Sequence, residues 1–279
     1  MEDNSHQEIA IQGVKGSFHH IAAQLICDDK NIGIVPESDF ESLVKRVGTS
    51  HTLGLMAIEN SLVGGLIDNY RLLHAYSVII TGEIFLRIKQ NLLANTGASI
   101  ETLTEVHSHP MALAQCASFF HQYPHIKLIE TDDTAESAEM VSQMGKQNIG
   151  AVASSLAAEL YGLEILGESI ESNHMNYTRF LLIEPAGEMA SAKKASIVLT
   201  LPHEKGSLHR LLGACESAGL NLTKIQSMPI AGEPWKYRFF IDVVADTELT
   251  TNYLKDHLKS KTTQMAVIGI YKPGKHFEA

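Results

Sequence analysis

The segment Ser77-Val78-Ile79-Ile80-Thr81-Gly82-Glu83-Ile84-Phe85-Leu86-Arg87-Ile88-Lys89-Gln90-Asn91-Leu92-Leu93 decides the fold. It is too long and too rich in β-branched residues to be one ordinary strand, so it reads as an extended crossover between two lobes. The same rhythm lies on both sides of it. Upstream, short apolar runs at residues 9–11, 31–35 and 53–58 alternate with helical patterns at 17–25, 41–47 and 66–76. Downstream, runs at 105–107, 127–129 and 149–153 alternate with helical patterns at 111–120, 134–144 and 156–161. This alternation predicts parallel sheet covered by helices, once in each lobe, with a second crossing expected after Gly162.

A composition break follows at Pro185-Ala186-Gly187-Glu188-Met189-Ala190-Ser191-Ala192-Lys193-Lys194, small and charged residues between two apolar strands. Beyond it the pattern reads strand 196–201, helix 208–217, strands 220–227 and 237–244, helix 250–258 and strand 264–271. The order β-α-β-β-α-β is ferredoxin-like. The expected division is therefore an α/β region over 1–185, a linker at 186–194 and a smaller domain over 195–279.

Composition narrows the function. The 279 residues carry a formal charge of -10, with 44% hydrophobic and 19% charged residues, as in a soluble globular chain. No basic run or aromatic-basic interleaving marks a nucleic-acid binder. No apolar run approaches membrane-spanning length, and the polar, acidic opening lacks the form of a signal peptide, so the cytoplasm is expected. Cys27, Cys116 and Cys215 are scattered and odd in number, which reads as three buried thiols rather than a disulfide framework or zinc site.

Four segments share one design, in which a strand ends, a small or polar residue follows and a helix begins: Gly13-Val14-Lys15-Gly16-Ser17, Glu59-Asn60-Ser61, Ser108-His109-Pro110 and Ser154-Ser155. Ser17 and Ser108 suit N-caps, and Pro110 suits a first helical turn. Helix N-termini opening at strand ends can hold anions, although an ordinary capped turn explains each segment taken singly. In Asn173-His174-Met175-Asn176-Tyr177-Thr178-Arg179-Phe180, a loop of amides and hydroxyls runs straight into an apolar strand. There Arg179 reads either as a carboxylate clamp or as a solvated charge at a strand edge.

Together these segments resemble the prephenate dehydratases. Thr178-Arg179-Phe180 with Asn176 is similar to that family's T-R-F signature. Residues 13–23 resemble its opening glycine-serine segment, and Ile58-Glu59-Asn60-Ser61 with Gly64 and Gly65 resembles its I-E-N-S-x-x-G loop. Ser108-His109-Pro110 through Cys116 resembles its S-H-P helix start, and residues 157–163 match a further stretch. Five motifs in order over nearly the whole chain make chance agreement improbable.

The resemblance implies a two-lobed catalytic region like a periplasmic binding protein, with substrate in the cleft and a C-terminal ACT domain. It implies decarboxylating dehydration of prephenate to phenylpyruvate without a cofactor or metal. The family places Thr178 beside the leaving hydroxyl. A threonine hydroxyl is a poor acid near neutral pH, so it is expected to polarise the hydroxyl while Glu59, His109 or water supplies the proton. Arg179 is the expected carboxylate clamp, with Asn60, Ser61, Ser108 and Ser17 as neutral donors, Asn176 beside them and Phe180 shaping the pocket. Lys15 stands where the family often has glutamate, and reads equally as a substrate-attracting cation or a solvated turn lysine. His107 and His109 flank one serine, but no further ligand set completes a metal site.

In the C-terminal region, Gly206-Ser207-Leu208 stands where the family's G-A-L effector motif falls, and Asn221-Leu222 precedes its E-S-R-P motif, which here reads Gln226-Ser227-Met228-Pro229. Phenylalanine is the implied effector, held between paired ACT domains of a homodimer or homotetramer, although the altered motif removes one carboxylate and one guanidinium. No room for a fused chorismate mutase domain precedes Ile9, so a monofunctional enzyme is expected. Arogenate as substrate, or a noncatalytic small-molecule sensor on the same scaffold, are the alternatives.

Overall fold

A computed structural model describes residues 8–50 and 52–278. The first lobe comprises β1 (Glu8–Gln12), α1 (Phe18–Cys27), β2 (Gly33–Glu37), α2 (Phe40–Ser50), β3 (Leu53–Asn60), the short β4 (Gly64–Gly65) and α3 (Ile67–Ala75). The long segment anticipated as a crossover is β5 (Val78–Arg87) running on to β6 (Asn91–Ala94) in the second lobe. That lobe continues through β7 (Glu105–Ser108), α4 (Pro110–Gln115), α5 (Ala117–Phe120), β8 (Lys127–Glu130), α6 (Thr134–Met144), β9 (Ile149–Ala153), α7 (Ser155–Tyr161) and β10 (Glu164–Gly167). The chain then returns to the first lobe as β11 (Tyr177–Pro185), antiparallel to both β3 and β5. Two extended passages, into β6 and into β11, thus join the lobes, and the site residues cluster around them.

The remaining elements are β12 (Ala192–Thr200), α8 (Ser207–Ser217), β13 (Asn221–Pro229), β14 (Tyr237–Leu249), α9 (Thr251–Leu258), β15 (Gln264–Tyr271) and β16 (Lys275–Glu278). Their strand order, β13-β14-β12-β15, is the ferredoxin-like arrangement, closed over a core that includes Leu199, Leu211, Ile241 and Leu254. The expected linker of 186–194 is shorter in the fold. β12 begins at Ala192, and Lys194 is buried, because its ammonium meets a carboxylate of the first lobe. β14 also runs five residues past its expected end at 244, and β16 had no counterpart in the expected pattern.

The C-terminal unit does not hang from a tether. Its sheet joins that of the first lobe where Gly269 of β15 pairs with Ile80 of β5. A Cβ at Gly269 would lie 2.6 Å from both the Ile80 Cβ and its carbonyl oxygen, so only glycine permits this approach. Met228, Phe240, Ile268 and Tyr271 share one apolar core with Tyr70, Leu72, Ile80 and Leu181 of the first lobe. β16 adds a further parallel pairing to β5, residue 275 opposite 84. Of the three cysteines, Cys116 and Cys215 are buried and Cys27 is partly exposed, a departure from the expected burial of all three. No helix among the described residues is long and apolar enough to cross a membrane.

Candidate active site

A cavity of about 370 Å³ lies between the lobes. Ser17, His19 and Asn60 reach it from the first lobe, His109 and Gln115 from the second, and Asn176, Thr178 and Phe180 from the returning strand. Local structure explains their placement. Ser17 caps α1 by accepting from the His20 backbone N–H at 3.3 Å, which turns the helix N-terminus toward the cleft. His109 caps α4, its Nδ1 accepting from Met111 N at 3.2 Å, with Pro110 in the first turn. The lobes also touch directly: Ser154 donates to the Gly16 carbonyl at 2.5 Å and the Tyr161 hydroxyl to that of Lys15 at 2.8 Å.

At the centre is an amide-hydroxyl network. Asn60 Nδ2 donates to Asn176 Oδ1 at 2.8 Å and to Thr178 Oγ1 at 3.0 Å, while Asn60 Oδ1 accepts from Leu62 N and Val63 N. Asn176, fully buried, donates in turn to Gln115 Oε1 at 3.0 Å, tying the returning strand to the second lobe. Because the Thr178 oxygen accepts from Asn60, its own hydrogen is left to donate elsewhere, and the incoming bond sharpens that polarity.

Several expected site residues lie elsewhere. Side chains alternate across a strand, so Arg179 points away from the cavity that Thr178 and Phe180 line. It is 5% exposed, donating through Nε to Glu83 at 2.7 Å, through Nη1 to Asp242 at 2.5 Å and through Nη2 to the Tyr271 hydroxyl at 3.1 Å. With its fork thus occupied, it has no means of clamping a substrate carboxylate. Burial opposes the guanidinium's charge, but Asp242, Tyr271 and Glu83 outweigh it and drive its pKa above the ordinary value. Lys194 completes the cluster by donating to Glu83 at 2.7 Å.

Glu59 sits behind the cleft too, its carboxylate 2.7 Å from Lys224 Nζ of β13, so it is not placed to protonate a leaving group in the cavity. Ser108 is buried, its hydroxyl donated to the Val152 carbonyl at 2.6 Å. Ser61 fastens the loop, donating to the Met175 carbonyl and accepting from Tyr177 N. Lys15 is exposed and outside the cavity lining. No Lys or Arg lines the cavity among the described residues, and no group of three or more His, Cys, Asp or Glu is positioned for a metal.

Sequence reasoning missed His19, Gln90 and Gln115. His19 packs edge-on to Phe180 with ring centroids 4.9 Å apart, and burial lowers its pKa to about 4, so it is neutral at pH 7. Its Nε2 accepts from Ala57 N at 3.4 Å, which leaves a hydrogen on Nδ1. Gln90 is 4% exposed, and its Oε1 has no partner. The signal for His19 and Gln115 lay inside quoted motifs, two residues past Ser17 and six past His109.

The C-terminal unit holds a second cavity, of about 440 Å³, lined by Ser207, Leu208, Trp235, Tyr237 and Phe239 among others. Gly206 adopts φ +79 at the start of α8 beside it. Of the other expected effector residues, Asn221, Leu222, Gln226 and Ser227 do not line this cavity. Gln226 lies on the same face of β13 as Lys224 and meets Gly65 of the first lobe, and Met228 is buried in the shared core. The altered Q-S-M-P motif therefore places its two changed residues at the seam with the first lobe.

Comparison with known proteins agrees with this architecture. The family described as "Prephenate dehydratase" matches residues 9–188. The bifunctional chorismate mutase/prephenate dehydratase of Escherichia coli K12 is 31% identical over 272 residues, covering 94% of this chain and 70% of that protein. Arogenate dehydratase/prephenate dehydratase 2 of Arabidopsis thaliana is 33% identical over 286 residues, covering 97% and 74%. Among solved structures, GqqA, described as a novel type of quorum quenching acylase, superimposes with a TM-score of 0.84 at 30% identity, covering 95% and 97% of the two chains. The prephenate dehydratase of Arthrobacter aurescens in complex with L-Phe gives 0.85 at 24% identity, covering 95% and 90%, and so shares the fold. A two-lobed cleft carrying Asn60, Asn176 and Thr178, and a family match across both lobes, place the chain in the prephenate dehydratase family.

Proposed function

We propose that the chain converts prephenate to phenylpyruvate, water and CO2, and that Thr178 donates to the departing hydroxyl. The observation that carries this reading is the Asn60–Thr178 hydrogen bond at the cleft, which leaves the Thr178 hydrogen directed outward as a donor. Aromatisation of the ring drives the reaction, so the site has to help hydroxide leave and must not hold the departing ring carboxylate too firmly. A cavity without Lys or Arg suits that requirement. The N-terminus of α1 at Ser17 and the neutral His19 supply weaker donors for the pyruvyl carboxylate. Asp132 and Asp133 reach the same cavity from the second lobe, Asp133 Oδ2 coming close to Gly13 beside Ser17, and by repelling carboxylates they turn a substrate carboxylate at the α1 N-terminus toward His19. His109 and water are the remaining candidates for the ultimate proton source.

One observation favours a second substrate: the same two aspartates would pair with the ammonium of arogenate. The similarity to GqqA raises acyl transfer, but that chemistry needs a nucleophile paired with a base. The one bond Ser17 Oγ makes to a histidine is accepted from the backbone N–H of His20, not from its ring.

The C-terminal unit, read as an ACT domain beginning near residue 195, would take phenylalanine in its 440 Å³ cavity. Leu208, Phe239 and Trp235 suit the ring, and Glu204, Glu233 and Lys236 at its edge suit a zwitterion. Exposed Leu212, Ile225 and Trp235 on that unit support a homodimer or homotetramer formed through it, in a cytoplasmic enzyme. The test is ultraviolet detection of phenylpyruvate from prephenate or arogenate, with and without phenylalanine. Product from prephenate is expected; none from either substrate removes the enzymatic reading.

A further inference from the structure

Two neighbouring residues on the far side of the sheet are each held by the C-terminal unit. Asn60 and Thr178 are partners across the β3–β11 pair, and so are the residues next to them, Glu59 and Arg179. The first pair serves the cleft. The second faces the opposite way, Arg179 Nη1 lying 4.0 Å from Glu59 Oε2. Lys224 of β13 takes Glu59 at 2.7 Å, while Asp242 of β14 and Tyr271 of β15 take Arg179 at 2.5 and 3.1 Å. Glu83, on the adjacent β5, joins Arg179 to Lys194 of β12 and accepts from Gly274 N at 3.0 Å. All four strands of the C-terminal sheet thus contribute a side chain to this grip.

We propose that Glu59 and Arg179 are positioning residues through which the C-terminal sheet sets the placement of Asn60 and Thr178, and hence the turnover rate. A shift of β13 or β14 would pull on Glu59 and Arg179, and the β3–β11 ladder, in which that pair adjoins the Asn60–Thr178 pair, would carry the displacement to the next residues. Arg179, Glu83, Asp242 and Lys194 are buried at this seam while Glu59 is half-buried at its edge, and removing one buried member leaves its partner uncompensated and able to move. This inference rests on the dehydratase reading for its assay.

The test uses the full-length chain and prephenate as substrate, with Lys224→Met, Lys224→Arg, Asp242→Asn and Tyr271→Phe. Lys224→Met and Asp242→Asn should lower kcat about tenfold or more, leave KM within about twofold and keep the wild-type oligomer. Lys224→Arg should restore most of the rate. Lys224→Met removes the Glu59 ion pair and the contact with the Tyr70 ring, and Tyr271→Phe removes the hydrogen bonds to Arg179 and Ser196, so they decide the matter should Asp242→Asn fail to fold. Folded variants with wild-type kcat, or with only KM raised, would overturn the proposal. Wild-type protein that makes no phenylpyruvate would instead remove the dehydratase reading.

Discussion

The two faces of β11 present opposite chemistry within one residue step. Toward the cleft stand Thr178 and Phe180, among amides, neutral rings and a helix N-terminus, with Asp132 and Asp133 of the second lobe lining the same cavity. Away from it stands Arg179, locked among Glu83, Asp242, Lys194 and Tyr271. The difference teaches that this protein keeps its lysines and arginines out of the reacting site. A buried charge cluster fixes geometry because its members cannot be displaced singly, whereas a carboxylate destined to leave as CO2 is better met by weak, neutral donors.

The largest effect should come from breaking the neutral face at its centre. Thr178→Ala is expected to lower kcat by about 10²–10⁴-fold with little change in melting temperature, as general acid contributions of this kind do; steady-state kinetics beside a thermal melt would check both. On the ionic face, Glu83→Gln takes the carboxylate partner from Lys194 and leaves Arg179 to Asp242 and the more distant Glu59. It should cost about 3–5 kcal/mol of stability in urea titrations, the range for breaking a buried ion pair. A change under about 1 kcal/mol would mean the cluster tolerates repacking.

A smaller effect is expected from pH. His19 has a folded pKa of about 4 against an unfolded value of 6.5, so the unfolded chain binds a proton first as pH falls. Stability from this group is complete above the unfolded value and is lost as pH falls from 6.5 toward 4. Between pH 7 and pH 5 the loss should be on the order of 1–2 kcal/mol, and His19→Asn should flatten it. Smallest of all, Lys15→Ala should change KM by less than about twofold and only at low salt, because the lysine is exposed and screened.

Much of this arrangement was legible in the sequence, and the remainder was hidden for physical reasons. The length and β-branching of 77–93 were enough to expect two lobes, since no single strand accommodates that segment. The β-α-β-β-α-β order was readable because each of its six elements carries its own periodicity. Motif reading brought Asn60, Asn176, Thr178, Phe180, Ser17 and His109 to one cavity. It failed to separate Thr178 from Arg179, because a motif records neighbours in the chain while a strand sends neighbours to opposite faces. The docking of the C-terminal unit was hidden as well. It depends on Gly269, Lys194 and Asp242, which look unremarkable until β15 is laid against β5.

The most direct measurement is the steady-state kinetics of Arg179→Lys on prephenate. The substitution keeps a positive charge but loses the planar fork that reaches Glu83, Asp242 and Tyr271 together. A fall in kcat with KM nearly unchanged is the predicted result. A raised KM with kcat intact would mean that Arg179 clamps the substrate, and would contradict the division between a neutral reacting face and an ionic supporting one.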